Sequence, residues 1–413
     1  MIPIYRLLSR IRRNGLRNDF FRLLLQFLKI VPISYKSLIL IFQLLLFASP
    51  FYAQTFSTNF IHVDKVINNA IEDKSFPGAV VLVWKDGKTI YEKSFGNYTY
   101  DSSSPKVKTN TLFDLASLTK VVATTTAAMI CYDRKLFSLD DEVVKYIPEF
   151  GINGKENITI MNLLIHNSGL PAWKKFYGRN LNYDDVINEI YSSELEYKTG
   201  EKTVYSDLGI ITLGKIIEKV TGKSLDNFCE DEIFNPLKMV STFYTPDDSL
   251  KKLCAPTETD SYWRMKTLQG EVHDETSAML NGVAGHAGLF STAGDLAKLM
   301  SVLLNNGKIN QKIFIQQNTI ELFTKRVSDE STRAIGWDTK SDSGSSAGNY
   351  FSKNSFGHTG YTGTSIWADP DRNLFVIFLT NRVFPTRENT KIQKVRPQLH
   401  NAVIKSIEKF DEQ

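Results

Sequence analysis

The chain has 413 residues, 42% hydrophobic and 23% charged, an ordinary composition for a globular protein with a sizeable core. Its net charge of +4 is uneven: residues 1–53 hold eight Lys/Arg against one acid, Asp19, which leaves the remainder at −3. The basicity therefore belongs to the N-terminal segment and gives no case for nucleic-acid binding by the body. Cys131, Cys229 and Cys254 stand far apart, so no disulfide framework or zinc site can be read from them.

Residues 1–53 do not read as part of a fold. Lys36 precedes an apolar run, 38–48, too short to favour a spanning helix. The run ends in ASPFYAQ, with Ala53 as the residue before cleavage. This is the pattern of a secretory signal peptide behind a basic extension, which predicts an exported protein, periplasmic or secreted. The alternative is an uncleaved anchor that holds the chain at a membrane through residues 20–53.

From 54 to 413 the pattern is that of one folded unit. Val63, Val66, Ile67, Ala70 and Ile71 recur at helical spacing and give an amphipathic helix that Phe76-Pro77-Gly78 ends. Two β-rich runs around Lys85-Asp86-Gly87-Lys88 give a hairpin. The stretch 135–325 is mainly helical, with a well-marked helix over 207–222 and another over 291–308. Residues 256–288 lack periodicity and read as loop. Strands return at 332–337, 364–370 and 373–382, and a helix over about 390–410, kinked or begun at Pro397, closes the chain. A sheet completed from both ends, about 58–134 and 326–413, with the helical part 135–325 inserted, is the architecture these elements imply.

Within this pattern TLFDLASLTK, residues 111–120, carries the chemistry. Ser117 and Lys120 lie three apart at the head of an apolar helical stretch, so hydroxyl and amine share a face. A serine hydroxyl becomes a nucleophile when a base takes its proton, and a desolvated lysine can be that base. Alone, S-x-x-K is short and common, and an N-cap serine beside a surface lysine is the more ordinary explanation of it.

Two further stretches change this: Tyr205-Ser206-Asp207 at the start of the 207–222 helix, and Gly357-His358-Thr359-Gly360 ahead of the last strands. With S-x-x-K they make a set of three in order, and the chain resembles the serine β-lactamase and penicillin-binding-protein superfamily, nearest its class C and esterase branch. LLIHNSGLP, NPLKM, GHTGYTGTSIWADP and VHDETSAMLNGVAGHAGLFSTAGDLAK strengthen the likeness, which covers roughly 58–410. It implies an α+β fold of the β-lactamase/transpeptidase type, an antiparallel sheet flanked by helices with an all-helical subdomain inserted. It also implies Ser117 as the nucleophile of an acyl-enzyme, Lys120 as proton acceptor or cation, and Tyr205 as partner base and donor to the leaving group. The N–H groups of Ser117 and Tyr361 would form the oxyanion hole. Asp207, His358, Thr359, Gly360 and Tyr361 would contact substrate, with no metal and no cofactor.

Two departures from the family pattern matter. Asp207 stands where asparagine is usual; a carboxylate only accepts hydrogen bonds and can instead hold Lys120 charged. His358 stands where lysine is usual and is mostly neutral at pH 7. Gly360 is expected to let a substrate backbone approach the edge strand. The expected substrate is a peptidoglycan peptide, as in a D-Ala-D-Ala carboxypeptidase, or a small carboxylic ester. β-Lactam hydrolysis ranks third, and a non-catalytic binder of peptidoglycan or β-lactam is the rival from another class. His273, Asp274 and Glu275 form a polar loop, read by default as surface with metal binding the lesser reading. The resemblance puts that loop at the border of the site, where His273 or His286 could touch substrate. Trp173, Tyr177, Tyr262 and Trp263 are either core or cleft-lining.

Overall fold

The computed structural model describes residues 60–411; the reading of 1–53 as signal peptide or anchor lies outside them. No helix among the described residues is long and apolar enough to cross a membrane. The centre is a six-stranded antiparallel sheet of β1 (Gly78–Lys85), β2 (Lys88–Gly96), β3 (Asp338–Thr339), β4 (Phe356–Thr359), β5 (Ser365–Asp369) and β6 (Leu374–Thr380). Their spatial order is β3-β4-β5-β6-β1-β2, so both ends of the described chain meet where Ala79 pairs Thr380 and Lys85 pairs Leu374.

β1 and β6 read as unbroken apolar runs because both faces of the sheet are covered. Alternate residues face opposite layers. Val81, Val83, Val376 and Phe378 pack with Val63 and Ile67 of α1 (Ile61–Glu72) and with Leu399 and Val403 of the C-terminal helix Ile392–Asp411. Val80, Leu82, Phe375 and Ile377 face the larger core, which holds Leu296, Leu299 and Met300 of the helix Ala293–Leu304. Each such buried side chain is worth about 1.5–3 kcal/mol over an exposed one. The sheet is thus the rigid floor on which the loops ahead of β5 are set.

Several elements differ from expectation. The helix Ala293–Leu304 falls inside the stretch assigned to the helical insertion, yet it packs on β1 and β6 and belongs to the sheet layer. The strand expected over 332–337 begins only at Asp338; Gly336 turns the backbone with φ +82, and Thr125 Oγ1 would lie 2.2 Å from any Cβ there. The 256–288 stretch holds a small hairpin, Thr259–Asp260 with Lys266–Thr267, and a short helix, Glu275–Met279. The last helix runs through Pro397 rather than starting at it.

Candidate active site

Ser117 does not open an ordinary α-helix. It sits in a 3-10 turn, Ala116–Leu118, followed by a wider π turn, Lys120–Thr125, before regular helix begins at Thr126. Ala116 has φ +49, a left-handed conformation unusual for alanine. The buried Asp114 carboxylate stabilises this turn by accepting from Ala116 N–H at 2.8 Å and His273 N–H at 2.6 Å. Strain held in place by surrounding bonds is common beside reacting groups.

Lys120 is 1% exposed, and its Nζ lies 3.0 Å from Ser117 Oγ, 3.0 Å from the His286 carbonyl and 2.7 Å from Asp207 Oδ1. Burial works to depress its pKa, but the charges of Asp207 and Tyr205 outweigh burial and hold it above the ordinary lysine value. The ammonium also lies 4.9 Å from the centre of the Tyr205 ring. Ser206 caps the helix Asp207–Thr221 and accepts from Gly209 N–H, which fixes Tyr205 before the first turn and Asp207 within it. Tyr205 Oη is buried without a hydrogen-bond partner, and burial pushes its pKa up against the pull of Lys120.

The third segment, β4, is open where it matters. Asp338 and Thr339 pair Gly357 and Phe356, so His358 and Thr359 run past the short neighbour with their outer edge free of it. His358 Nδ1 donates to the Thr359 carbonyl at 2.8 Å, its Nε2 is buried and unpartnered, and burial lowers its pKa well below the usual value. The ring is therefore a neutral acceptor, with Arg333 and Lys120 adding to the shift. Thr362 Oγ1 and Thr364 Oγ1 donate to the carbonyls of Asp114 and Leu115, at 2.8 and 3.0 Å, and staple the turn before β5 to the serine segment. A Cβ on Gly360 would meet Thr364 Oγ1 at 2.1 Å and the Leu115 carbonyl at 2.4 Å. The glycine is thus required by this internal packing, a different reason from the substrate approach expected of it. Tyr361 is exposed at the rim.

The side chains of the polar 273–275 loop turn to three separate partners. His273 Nε2 pairs Glu258 at 2.9 Å, Asp274 pairs His286 Nε2 at 2.8 Å, and Glu275 pairs Arg387 at 2.9 Å. Asp207, Asp274 and His286 do bring ligand-type atoms within 4.8 Å of one another, but the Lys120 ammonium supplies the cation beside them. His166 accepts from Ser206 N–H through Nδ1 and packs its ring 4.6 Å from Tyr205, so it supports the tyrosine from behind.

Two cavities meet at Ser117, Tyr205 and Tyr361. One, about 410 Å³, lies along His358 and is lined by Arg333, Arg382, Arg387 and Arg396 with a single acid, Asp338. Arg387 is neutralised by Glu258 and Glu275. Arg333, Arg382 and Arg396 have no carboxylate within ion-pair distance among the described residues. Arg396 donates to the carbonyls of Gly360 and Thr364 at 2.7 and 2.9 Å while its Nε stays buried and unpartnered. Burial, with help from Arg382, lowers its pKa to about 9. None of these arginines stands out in the sequence by motif. The one signal is that Arg396 shares the apolar face of its helix with Ile392, Leu399 and Val403, an unusual place for a charge.

Residues 63–399 match the Beta-lactamase family. The N-acetylmuramyl-L-alanine amidase of Bacillus subtilis (strain 168) is 38% identical over 357 residues, covering 78% of this chain and 80% of that protein. A putative D-alanyl-D-alanine carboxypeptidase of Escherichia coli (strain K12) is 32% identical over 354 residues, covering 78% and 81%. Among solved structures, EstCE1, a hydrolase with promiscuous acyltransferase activity, shares the fold with a TM-score of 0.69 at 23% identity, covering 84% of this chain and 99% of that one. The S-x-x-K turn, the Tyr205 segment and the His-Thr-Gly strand thus stand in a fold shared along nearly the whole described length, and the chain belongs to the Beta-lactamase family as a serine hydrolase related to penicillin-binding proteins.

Proposed function

We propose that the protein hydrolyses an amide of a cell-wall peptide through an acyl-enzyme on Ser117, and that the substrate carries a carboxylate beside the scissile bond. The observation that supports this most is the cavity along His358. Buried guanidinium groups without carboxylate partners are costly unless an anion completes them, and Arg–carboxylate pairing is strong and directional. A neutral small ester would leave those charges unused. The names carried by the two relatives, an amidase and a carboxypeptidase, agree with an amide substrate.

In this reading Lys120, held protonated by Asp207, orients Ser117 Oγ, and Tyr205, reacting as the phenolate that the Lys120 ammonium favours against burial, takes the proton as Oγ attacks the carbonyl carbon. The N–H groups of Ser117 and Tyr361 receive the developing oxyanion. The C–N bond then breaks and Tyr205 returns the proton to the leaving amine. Water enters the emptied side, adds its hydroxyl to the acyl carbon and restores the Ser117 hydroxyl. The test is mass-spectrometric product analysis of the purified chain with muramyl amides and with peptides ending in D-Ala-D-Ala, alongside Ser117→Ala. Release of an amine product that Ser117→Ala abolishes, with folding intact, is the expected result. Unchanged turnover by Ser117→Ala, or turnover confined to short-chain esters, would reject the reading.

A further inference from the structure

The second cavity, about 370 Å³, shares Ser117, Tyr205, Tyr361 and Arg387 with the first and differs from it in its aromatic wall. Trp173, 62% exposed, and Tyr177 form its outer wall. The Tyr177 ring lies 5.7 Å from Tyr262 and 5.6 Å from Trp263, which extends the wall into a cluster of aromatic faces. Asp207, Asp274 and Glu275 line the same space. Aromatic side chains this exposed are ordinarily mobile, but these are braced. Asp260, fully buried, accepts the N–H groups of Tyr262, Trp263 and Arg264 at 2.9–3.1 Å and the Arg264 Nε at 2.9 Å. Arg264 in turn donates to the carbonyls of Val272 and His273, at 2.7 Å each. Next to Trp173, the carbonyls of Pro171 and Ala172 are held by Ser206 Oγ and Asp207 N–H at 2.7 and 2.8 Å.

We propose that this wall is a saccharide subsite, which takes a sugar ring attached through the acyl side chain of the scissile amide. The proposal rests on the amide reading above. A pyranose offers an apolar C–H face for the aromatic rings and hydroxyl donors for the carboxylates. An alkyl chain would satisfy the rings while stripping water from the acids without replacing its hydrogen bonds, which is unfavourable. The two cavities join at Ser117, so a substrate laid across the nucleophile puts its sugar against Trp173 and Tyr177 and its carboxylate among the arginines. A sugar–amide–amino acid conjugate has that polarity.

The experiment compares kcat/KM for N-acetylmuramyl-L-alanine with that for lactyl-L-alanine, which keeps the same amide and the same carboxylate but has no sugar. The wild-type chain should favour the sugar-bearing amide by roughly tenfold or more. Trp173→Ala and Tyr262→Ala should each collapse that ratio several-fold, and Trp173→Phe should keep most of it. A wild-type ratio near one, or a ratio unmoved by both alanine variants, overturns the saccharide subsite and leaves the amide reading standing. If neither amide is cleaved in a Ser117-dependent way, the amide reading falls. The subsite is then decided by calorimetric titration of Ser117→Ala with N-acetylmuramic acid. Binding that disappears in the Ser117→Ala/Trp173→Ala double variant supports it, and no binding to Ser117→Ala overturns it.

Discussion

Replacing Asp207 with asparagine tests the electrostatic core of the site. At 2.7 Å, a pair of unit charges interacts by about 1.5 kcal/mol in water and about 6 kcal/mol at an effective dielectric of 20. The Asp207 side chain is 26% exposed, which places the pair toward the lower part of that range, at about 2–3 kcal/mol. The asparagine carbonyl would recover about 1 kcal/mol as a neutral acceptor. The remainder, about 1–2 kcal/mol, lowers the Lys120 pKa and equals roughly a tenfold change in its proton affinity, at about 1.4 kcal/mol per factor of ten. Burial, now unopposed by the carboxylate, works in the same direction. A lysine that sheds its proton closer to neutrality can take the Ser117 proton directly. Acylation of Ser117 by a penicillin, followed by intact-protein mass over pH 5 to 10, should therefore show its rising limb displaced to lower pH by roughly one unit. At pH 7 the variant should acylate about tenfold faster. The linkage sign gives a second readout. The folded pKa of Lys120 is raised above its unfolded value, so its contribution is fully present below the unfolded lysine pKa and is lost as pH rises through the folded value. Asp207→Asn should melt at a lower temperature at pH 7, with the gap closing in strong alkali. Superimposable pH–acylation profiles for the two proteins would refute the idea that the carboxylate keeps Lys120 out of the base role.

Arg396→Gln removes one of the unpaired guanidiniums and should raise KM for carboxylate-bearing amides by about ten- to a hundredfold, the scale of a lost charge-assisted hydrogen bond. A short-chain neutral ester assayed beside them should suffer much less, and equal losses on both would show that Arg396 acts only by holding the Gly360 and Thr364 carbonyls. Gly360→Ala forces a methyl toward the Leu115 carbonyl at 2.4 Å and should cost about 1–3 kcal/mol in chemical denaturation, together with most of kcat. An unaltered denaturation midpoint would contradict the packing role given to that glycine. Glu258 is held at about 2: burial raises its pKa, but His273 and Arg387 more than offset this. Its contribution is present above the unfolded carboxyl value near 4 and is lost as pH falls toward 2. Melting curves of wild-type and Glu258→Gln should therefore differ at pH 6 and converge near pH 2, and a constant separation would argue against the ion pair as the cause.

How much of this was legible in the sequence depends on what kind of interaction carries it. That Ser117, Lys120, Tyr205 and His358 lie close together could be expected because each sits in a short motif whose spacing is set by local backbone geometry, and the sheet could be read because β1 and β6 are continuous apolar runs. The helix Ala293–Leu304 was recognised as a helix but assigned to the wrong layer, since periodicity shows that a face is apolar and not which surface it meets. The arginines of the His358 cavity converge from residues 333, 382, 387 and 396. Nothing in local spacing links Arg333 to Arg396; only the antiparallel order of β3 to β6 and the docking of the last helix do so. The 256–288 stretch shows the same limit in a sharper form. It lacks periodicity because it is held by side chain–backbone bonds rather than by repeated backbone ladders, Asp260 and Asp114 being the clearest cases. Such bonds leave no pattern in composition or spacing. Yet they fix the aromatic wall near Ser117, while stapled threonines fix the turn before β5 to the serine segment. In this family member the motifs therefore locate the candidate reacting atoms, and the residues that would choose among substrates lie in segments whose order comes from isolated long-range bonds. The variants that separate chemistry from substrate choice are accordingly those at Trp173, Tyr262 and Arg396, outside every motif.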